Sequence, residues 1–265
     1  MGIILTISSF AVTRFILLPL KLFLIKTGAV RINYLGNQIP IGLGLVLMFG
    51  TAPSFFLYSF FTGDESIYLL FLVLTITILA GFIDDILGNH SVKGLKGHIL
   101  MLIEKGELTS GALKAIIIST TSVYISIYYW ENVIFFVLNF VILVLTTNMF
   151  NLFDVRPGRV IKIYVLIYLI LFASYPQTRI YLSIIFASVL AYAPLDFKGK
   201  GMLGDTGSNF LGMSVGLALV LNLSYLPKVI VCIILVALHI YTEKKSLTVL
   251  IERVKILRLI DNMGR

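Results

Sequence analysis

The chain is poor in charge and in cysteine. Only 13% of its 265 residues are charged, whereas 58% are apolar; soluble domains have about 25% and about 45–50%. This composition excludes an ordinary soluble globular protein, because one core could not bury so much apolar surface. The single cysteine, Cys232, lies in an apolar run and excludes an intramolecular disulfide. The composition therefore predicts a protein whose solvent is largely a lipid bilayer.

Long apolar runs dominate what remains. A helix needs about 20 mostly apolar residues to span the hydrocarbon core, and nine segments qualify. They are 2–25, 40–61, 66–85, 109–130, 132–149, 159–175, 178–194, 208–225 and 228–242. The pattern predicts an all-α fold, a polytopic transmembrane bundle of about nine helices over residues 1–242.

The net charge of +8 could suggest nucleic acid, but the basic residues form short clusters between apolar runs, so no nucleic-acid partner is expected. If odd-numbered helices end in the cytoplasm, sixteen basic residues lie on that side and two, Arg179 and Lys228, on the other. The sixteen are Lys26, Arg31, Lys93, Lys96, Lys105, Arg156, Arg159, Lys162, Lys198, Lys200, Lys244, Lys245, Arg253, Lys255, Arg258 and Arg265. The positive-inside rule then predicts an outside N-terminus and a cytoplasmic C-terminus in the plasma membrane.

Residues 243–265 differ from the rest. Leucines, isoleucines and a valine recur there at helical spacing between basic residues. This segment is predicted to be a cytoplasmic amphipathic helix that lies along the anionic inner leaflet.

Four aspartates stand at the predicted cytoplasmic ends of helices or just beyond them. Asp84 and Asp85 end the third segment, Asp154 follows the fifth, and Asp205 follows the seventh. Each alone could be a helix cap or a loop residue. Together, without cysteine or histidine pairs beside them, they favour a hard cation such as Mg²⁺, with Mn²⁺ as the alternative. Four basic residues follow them closely and could hold phosphates: Lys93, Lys96, Arg156 and Arg159.

Three motifs carry a resemblance to a known family. They are Asp84-Asp85, the run Asn148-x-x-Asn151-x-x-Asp154, and Gly204-Asp205-x-Gly207-Ser208. In this order, and on the predicted side, they resemble the polyprenyl-phosphate N-acetylhexosamine-1-phosphate transferases, also known as glycosyltransferase family 4. The stretch 31–44 likewise resembles the family's first cytoplasmic loop, so the resemblance covers about residues 26–212.

The resemblance implies a Mg²⁺-dependent enzyme of cell-wall or surface-glycan synthesis. Such an enzyme moves a sugar 1-phosphate from a UDP-sugar to undecaprenyl phosphate and releases UMP. It implies catalytic roles for Asp84, Asp85, Asp154 and Asp205, with Asp205 and Asp154 as metal ligands. The implied substrate-binding residues are Asn148, Asn151, Lys93, Lys96, Arg156, Arg159, Gly204 and Ser208.

Some family features are missing. A second Asp-Gly after helix 5 is replaced by Val155-Arg156-Pro157-Gly158, and the last loop has His239 instead of a histidine-rich run. The expected donor is therefore a simple UDP-N-acetylhexosamine rather than a muramoyl-pentapeptide nucleotide, and Arg156→Lys is expected to weaken its binding. Asp196, outside the motifs, is expected to tolerate Asn.

Other classes of protein stay open. The chain could be a catalytically inactive family member that acts as a membrane scaffold, or a phosphotransferase of the CDP-alcohol type. A secondary transporter is disfavoured, because its polar residues should lie at mid-membrane. Direct displacement and a covalent intermediate are both compatible with the motifs, and a homodimer is a further open alternative.

Overall fold

The structure of the protein, a computed structural model, describes residues 1–33, 36–88, 97, 101 and 103–262. In these described ranges nine long helices follow the nine apolar segments, so the predicted all-α polytopic bundle is confirmed. They are α1 (Gly2–Lys26), α2 (Leu45–Thr62), α3 (Ser66–Leu87), α4 (Ser110–Tyr128), α5 (Val133–Phe153), α6 (Arg159–Ser174), α7 (Arg179–Phe197), α8 (Gly204–Asn222) and α9 (Tyr225–Lys244). Within the described ranges, seven of these are long and apolar enough to cross a membrane. The other two are α6, with 16 residues, and the more polar α8.

Two helix starts differ from the apolar pattern by four or more residues. α2 begins at Leu45, five residues later than predicted, because strand β2 (Gln38–Pro40) pairs antiparallel with β1 (Val30–Ile32). α8 begins at Gly204, four residues earlier than predicted. Its first N–H groups are satisfied by a side chain of another helix, which hydropathy alone does not register.

The α8 helix is the centre of the bundle. It packs mainly between α3 and α5, and it also contacts α2 and α6. Every residue from 206 to 218 is buried, as expected for a helix with neighbours on all sides. The periphery is different: α9 packs mainly on α5, and α1 packs mainly on α2 and α7.

Two glycines allow close approach to the first turn of α8. A Cβ at Gly81 of α3 would lie 2.3 Å from the Asp205 carbonyl oxygen, and a Cβ at Gly44 would lie 2.2 Å from the Gly207 nitrogen. Since such distances are sterically forbidden, any larger residue would push the helices apart. The site described below depends on this tight crossing.

The C-terminal segment is not one continuous helix. It forms α10 (Leu247–Arg253) and α11 (Lys255–Asn262), separated at the extended residue Val254. α11 packs against α6, and Leu247 and Ile251 of α10 are buried. The segment thus folds onto the bundle, and it keeps an exposed apolar set formed by Val249, Val254, Leu257 and Leu259.

Candidate active site at one end of the bundle

Neighbouring helices run in opposite directions, so the C-terminal ends of α3, α5 and α7 meet the N-terminal ends of α4, α6 and α8. The four aspartates predicted from sequence, Asp84, Asp85, Asp154 and Asp205, all lie at this end. The β1–β2 hairpin joins them there, because Arg31 donates a hydrogen bond to the backbone oxygen of Asp85 at 2.6 Å.

The Asp85 carboxylate binds the first turn of α8. Its two carboxylate oxygens accept hydrogen bonds from the backbone N–H groups of Asp205, at 3.1 Å, and Thr206, at 2.9 Å. The Thr206 hydroxyl donates to the same carboxylate at 2.5 Å. Asp85 therefore caps α8 from another helix, a favourable position for a negative charge at a helix N-terminus. A Cβ on Gly204 would lie 2.4 Å from this carboxylate, so only glycine fits there.

Asp84 and Asp205 share a positive charge from α4. The Lys114 ammonium donates to Asp84 Oδ2 at 2.5 Å and also donates to Asp205 Oδ2. The Ser110 hydroxyl holds the other Asp84 oxygen at 2.6 Å. The three side chains, here named the aspartate–lysine cluster, keep 14–24% of their surface exposed. This exposure leaves the cluster accessible to a ligand.

Lys114 was missed by the sequence interpretation. The lysine lies near the start of the apolar segment 109–130, where it looks like an ordinary residue of a helix end. The sequence did contain one indication. A charged side chain in a membrane-spanning helix costs free energy, so it is rare and usually has a partner inside the bundle.

Asp154 lies on the other side of the α8 N-terminus. It lies beside the Gly204 backbone, and it lines a cavity of about 120 Å³ together with Asn33, Arg156 and Asp196. Burial, reinforced by the carboxylates of Asp196, Asp85 and Asp205, raises the pKa of Asp154 well above its ordinary value. The carboxylates gathered here therefore disfavour one another's ionised forms.

The remaining motif residues divide into buried and exposed positions. Ser208 is buried in the first turn of α8, and its hydroxyl lies 3.4 Å from Asn151 Oδ1 on α5. Asn148, one turn earlier on α5, is exposed. The structure thus links two of the three motifs directly through Ser208 and Asn151.

The two arginines expected to bind phosphate instead contact the C-terminal segment. Arg159 is 2% exposed and donates to both Asp261 oxygens, at 2.8 and 3.0 Å, and to Thr248. Arg156 bonds Glu252 at 3.0 Å and lies 3.6 Å from Asp261. We name Arg156, Arg159 and Asp261 the tail clasp. A phosphate role for Arg159 does not fit this arrangement, because its side chain is enclosed; Arg156, 37% exposed, still lines the cavity.

Asp196, which the sequence interpretation expected to tolerate Asn, is buried and hydrogen-bonded in the structure. Its side chain is 5% exposed and accepts a hydrogen bond from the Gly158 backbone at 2.6 Å. Gly158 has a φ of 75° and is followed directly by α6. Asp196 therefore fixes the turn between Asp154 and α6, and a substitution there would disturb the site.

Four candidate residues, Lys93, Lys96, His90 and His98, lie outside the described residues. His239 lies within α9, where its Nδ1 contacts the Leu235 carbonyl oxygen at 2.7 Å. Across the described ranges, no three histidine, cysteine, aspartate or glutamate side chains are grouped closely enough to hold a metal ion. Asp205 is paired with Asp84 through Lys114, while Asp154 points to the α8 backbone.

A helical membrane bundle with a carboxylate and ammonium cluster at its helix ends defines the class: a polytopic membrane protein with a polar site at the membrane boundary. The sequence model of glycosyl transferase family 4 matches residues 66–224, more than half of the chain. The chain belongs to this family and is a membrane transferase of the polyprenyl-phosphate type. The match runs from the start of α3 to the end of α8 and contains all four aspartates and Lys114. No curated protein matches the chain.

Proposed function

We propose that the protein transfers a sugar 1-phosphate, of the N-acetylhexosamine type, from a UDP-sugar to undecaprenyl phosphate and releases UMP. The observation that carries this proposal is the aspartate–lysine cluster, which lies within the family match and at the ends of membrane helices. One substrate is an apolar chain that is met in the bilayer, and the other is a charged nucleotide from water. A partly exposed polar site at the membrane boundary is accessible to both.

The reaction needs no covalent bond to the protein. An oxygen of the lipid phosphate attacks the β-phosphorus of the donor, and the bond from that phosphorus to the bridging oxygen breaks, so that UMP leaves. The negative charge that develops on the leaving phosphate must be stabilised by fixed cations. Lys114 bonds the carboxylates of Asp84 and Asp205, and Arg156 lines the cavity beside Asp154.

The residues present suit Mg²⁺ in their chemistry, because carboxylate oxygens are the donors that this ion prefers. Asp84 and Asp205 would hold the ion, since one cation already bridges their oxygens, and Asp154 is the third carboxylate nearby. When bound, Mg²⁺ would neutralise charge on the diphosphate.

The cavity beside Asp154 supports a nucleotide on this side of the site. Its volume of about 120 Å³ is below the roughly 300 Å³ of the smallest usual ligand pockets. Part of a donor nucleotide would fit, and the rest would lie toward solvent. We propose Asn151, Asn148 and Arg156 as its contacts, with a simple UDP-N-acetylhexosamine as donor.

Activity tests the proposal directly. Purified protein with undecaprenyl phosphate and Mg²⁺ should release UMP from UDP-N-acetylhexosamines in a panel of UDP-sugars, and EDTA should stop the release. Efficient use of UDP-muramoyl-pentapeptide would overturn the donor assignment. No release from any donor, by protein that is folded and binds lipid, would favour an inactive scaffold.

We also propose that the site faces the cytoplasm of a plasma membrane, from the sixteen-to-two distribution of basic residues. A reporter fused after residue 265 should be cytoplasmic, and Glu65→Cys should react with an impermeant thiol reagent from outside. The native Cys232 is buried and gives a low background in this labelling. A reporter active outside the cell would reject the orientation and with it the access of a cytosolic nucleotide.

A further inference from the structure

Lys114 holds the two carboxylates that would bind a divalent cation. Its ammonium lies 2.5 Å from Asp84 Oδ2, and it donates to Asp205 Oδ2 as well. Ser110 fixes the second Asp84 oxygen, which limits how far that carboxylate can turn. Among the residues that the structure describes, the two carboxylates therefore share the Lys114 ammonium as their common ion-pair partner.

The other nearby carboxylates are already engaged. Asp85 accepts three hydrogen bonds from the first turn of α8, and Asp154 lies beside the Gly204 backbone. Within the described ranges no group of three potential ligands stands ready for a metal. A divalent cation at this end would therefore take the oxygens of Asp84 and Asp205, and a third ligand would have to move or come from substrate.

An ammonium and a Mg²⁺ ion cannot share these oxygens. Mg²⁺ requires oxygens at about 2.0–2.1 Å in octahedral geometry, and the ammonium lies where such an ion would have to be. Two positive charges about 4 Å apart also repel strongly where water is scarce. A lysine, with a flexible four-carbon stem and a point charge, can withdraw while its helix stays in place.

We propose that Lys114 is a tethered counter-ion that competes with the divalent cation for Asp84 and Asp205. Without metal, the ammonium neutralises the two carboxylates and keeps α3, α4 and α8 together. When metal binds, the ammonium leaves these oxygens, so the protein's own lysine lowers its metal affinity. The use of metal in catalysis rests on the proposed function, whereas the competition is a property of the protein alone.

Metal binding without substrate tests the competition. Purified wild type, Lys114→Gln and Lys114→Arg would be titrated with Mn²⁺ alone, with free Mn²⁺ measured by electron paramagnetic resonance. Lys114→Gln should bind Mn²⁺ at least about tenfold more tightly than wild type, because a neighbouring charge of this kind shifts ionic equilibria by about one to three decades. Lys114→Arg, which retains the charge, should not gain affinity. Lys198→Gln removes an equal charge from an exposed position after α7 and serves as the matched control.

A second measurement uses only the wild-type protein, in case Lys114→Gln does not fold. Mg²⁺ should raise the rate of Lys114 acetylation several-fold, measured by mass spectrometry, because the displaced amine is no longer held by two carboxylates. Acetylation of Lys198 should not change. Metal-free Lys114→Gln, if it folds, should melt below wild type and regain stability when Mn²⁺ is added.

Three results would overturn the inference: unchanged or weaker Mn²⁺ binding by Lys114→Gln, protection of Lys114 by Mg²⁺, or no metal binding by any variant. Tighter binding in a protein that releases no UMP would reject the proposed function and leave the competition standing. Metal-dependent UMP release together with unchanged Mn²⁺ binding in Lys114→Gln would reject the competition and leave the proposed function standing.

Discussion

The aspartate–lysine cluster and the tail clasp lie at the same end of the bundle and are built from the same kinds of side chain. In the clasp, Arg159 and Asp261 are 2% and 5% exposed and meet through two parallel hydrogen bonds. In the cluster, one ammonium serves two carboxylates, and all three side chains remain 14–24% exposed. In the clasp the buried charges of Arg159 and Asp261 are paired. In the cluster two carboxylates share one ammonium, and all three side chains are accessible to a ligand.

This comparison distinguishes charged side chains that hold the fold together from charged side chains that are available to a ligand. A buried, bidentate pair holds two segments in one geometry, and the pair can change little unless one segment detaches. A partly exposed set in which one ammonium serves two carboxylates can exchange that ammonium for another cation or bind a further one. Sequence alone assigned both arginines of the clasp to the site, because they follow Asp154 closely along the chain.

The largest effect is expected at the cluster. Asp205→Asn keeps the shape of the side chain and removes one charge, so transferase turnover should fall at least about 10²-fold, while the melting temperature changes little. Turnover is measured as UMP release and folding as thermal unfolding. Asp64→Asn, at a half-buried acid between α2 and α3, is the control. Equal turnover in the two variants would remove Asp205 from the site.

A mutation in the tail clasp should affect the attachment of the C-terminal segment more than it affects turnover. Asp261→Ala leaves the buried Arg159 charge without its main partner, a change that costs about 3 kcal/mol in comparable pairs. The C-terminal segment can detach while the bundle stays folded, so we expect faster tryptic cleavage at 244–255 and a smaller loss of turnover than in Asp205→Asn. Glu252→Gln removes only the more exposed partner of Arg156 and should change cleavage little. Equal cleavage of Asp261→Ala and wild type would mean that the clasp does not hold the segment.

The tight helix crossing under the cluster can be tested separately. Gly81→Ala adds a Cβ 2.3 Å from the Asp205 carbonyl oxygen and should cost about 1–3 kcal/mol of stability, with reduced turnover because α3 shifts relative to α8. Gly216→Ala is the matched control, since its added Cβ would meet neighbours at ordinary contact distances of 3.4 Å or more. Equal melting temperatures for Gly81→Ala and Gly216→Ala would mean that α3 and α8 cross less tightly than described.

The smallest effect is expected for Arg156→Lys. The charge is retained, but a lysine cannot contact a phosphate or a carboxylate with two parallel hydrogen bonds. The KM for the UDP-sugar should rise a few-fold with little change in kcat. An unchanged KM would confine Arg156 to the tail clasp and exclude it from the donor site.

The sequence by itself determined the membrane bundle. Nine apolar segments predicted nine helices in the right places, because a helix that crosses lipid must satisfy its own backbone and cover it with apolar side chains. The same segments placed Asp84, Asp85, Asp154 and Asp205 at helix ends that meet at one end of the fold. Periodicity and hydropathy are local properties, and they are readable without tertiary contacts.

Only the tertiary structure decided which charge meets which. Lys114 approaches Asp84 and Asp205 from 30 and 91 residues away along the chain, and Arg159 reaches Asp261 across 102 residues. Asp85 caps a helix 120 residues downstream. Such pairings depend on how α3, α4, α6 and α8 cross, and therefore on glycine contacts and helix order. Electrostatic partners are set by distance in space, which the order of residues does not encode locally.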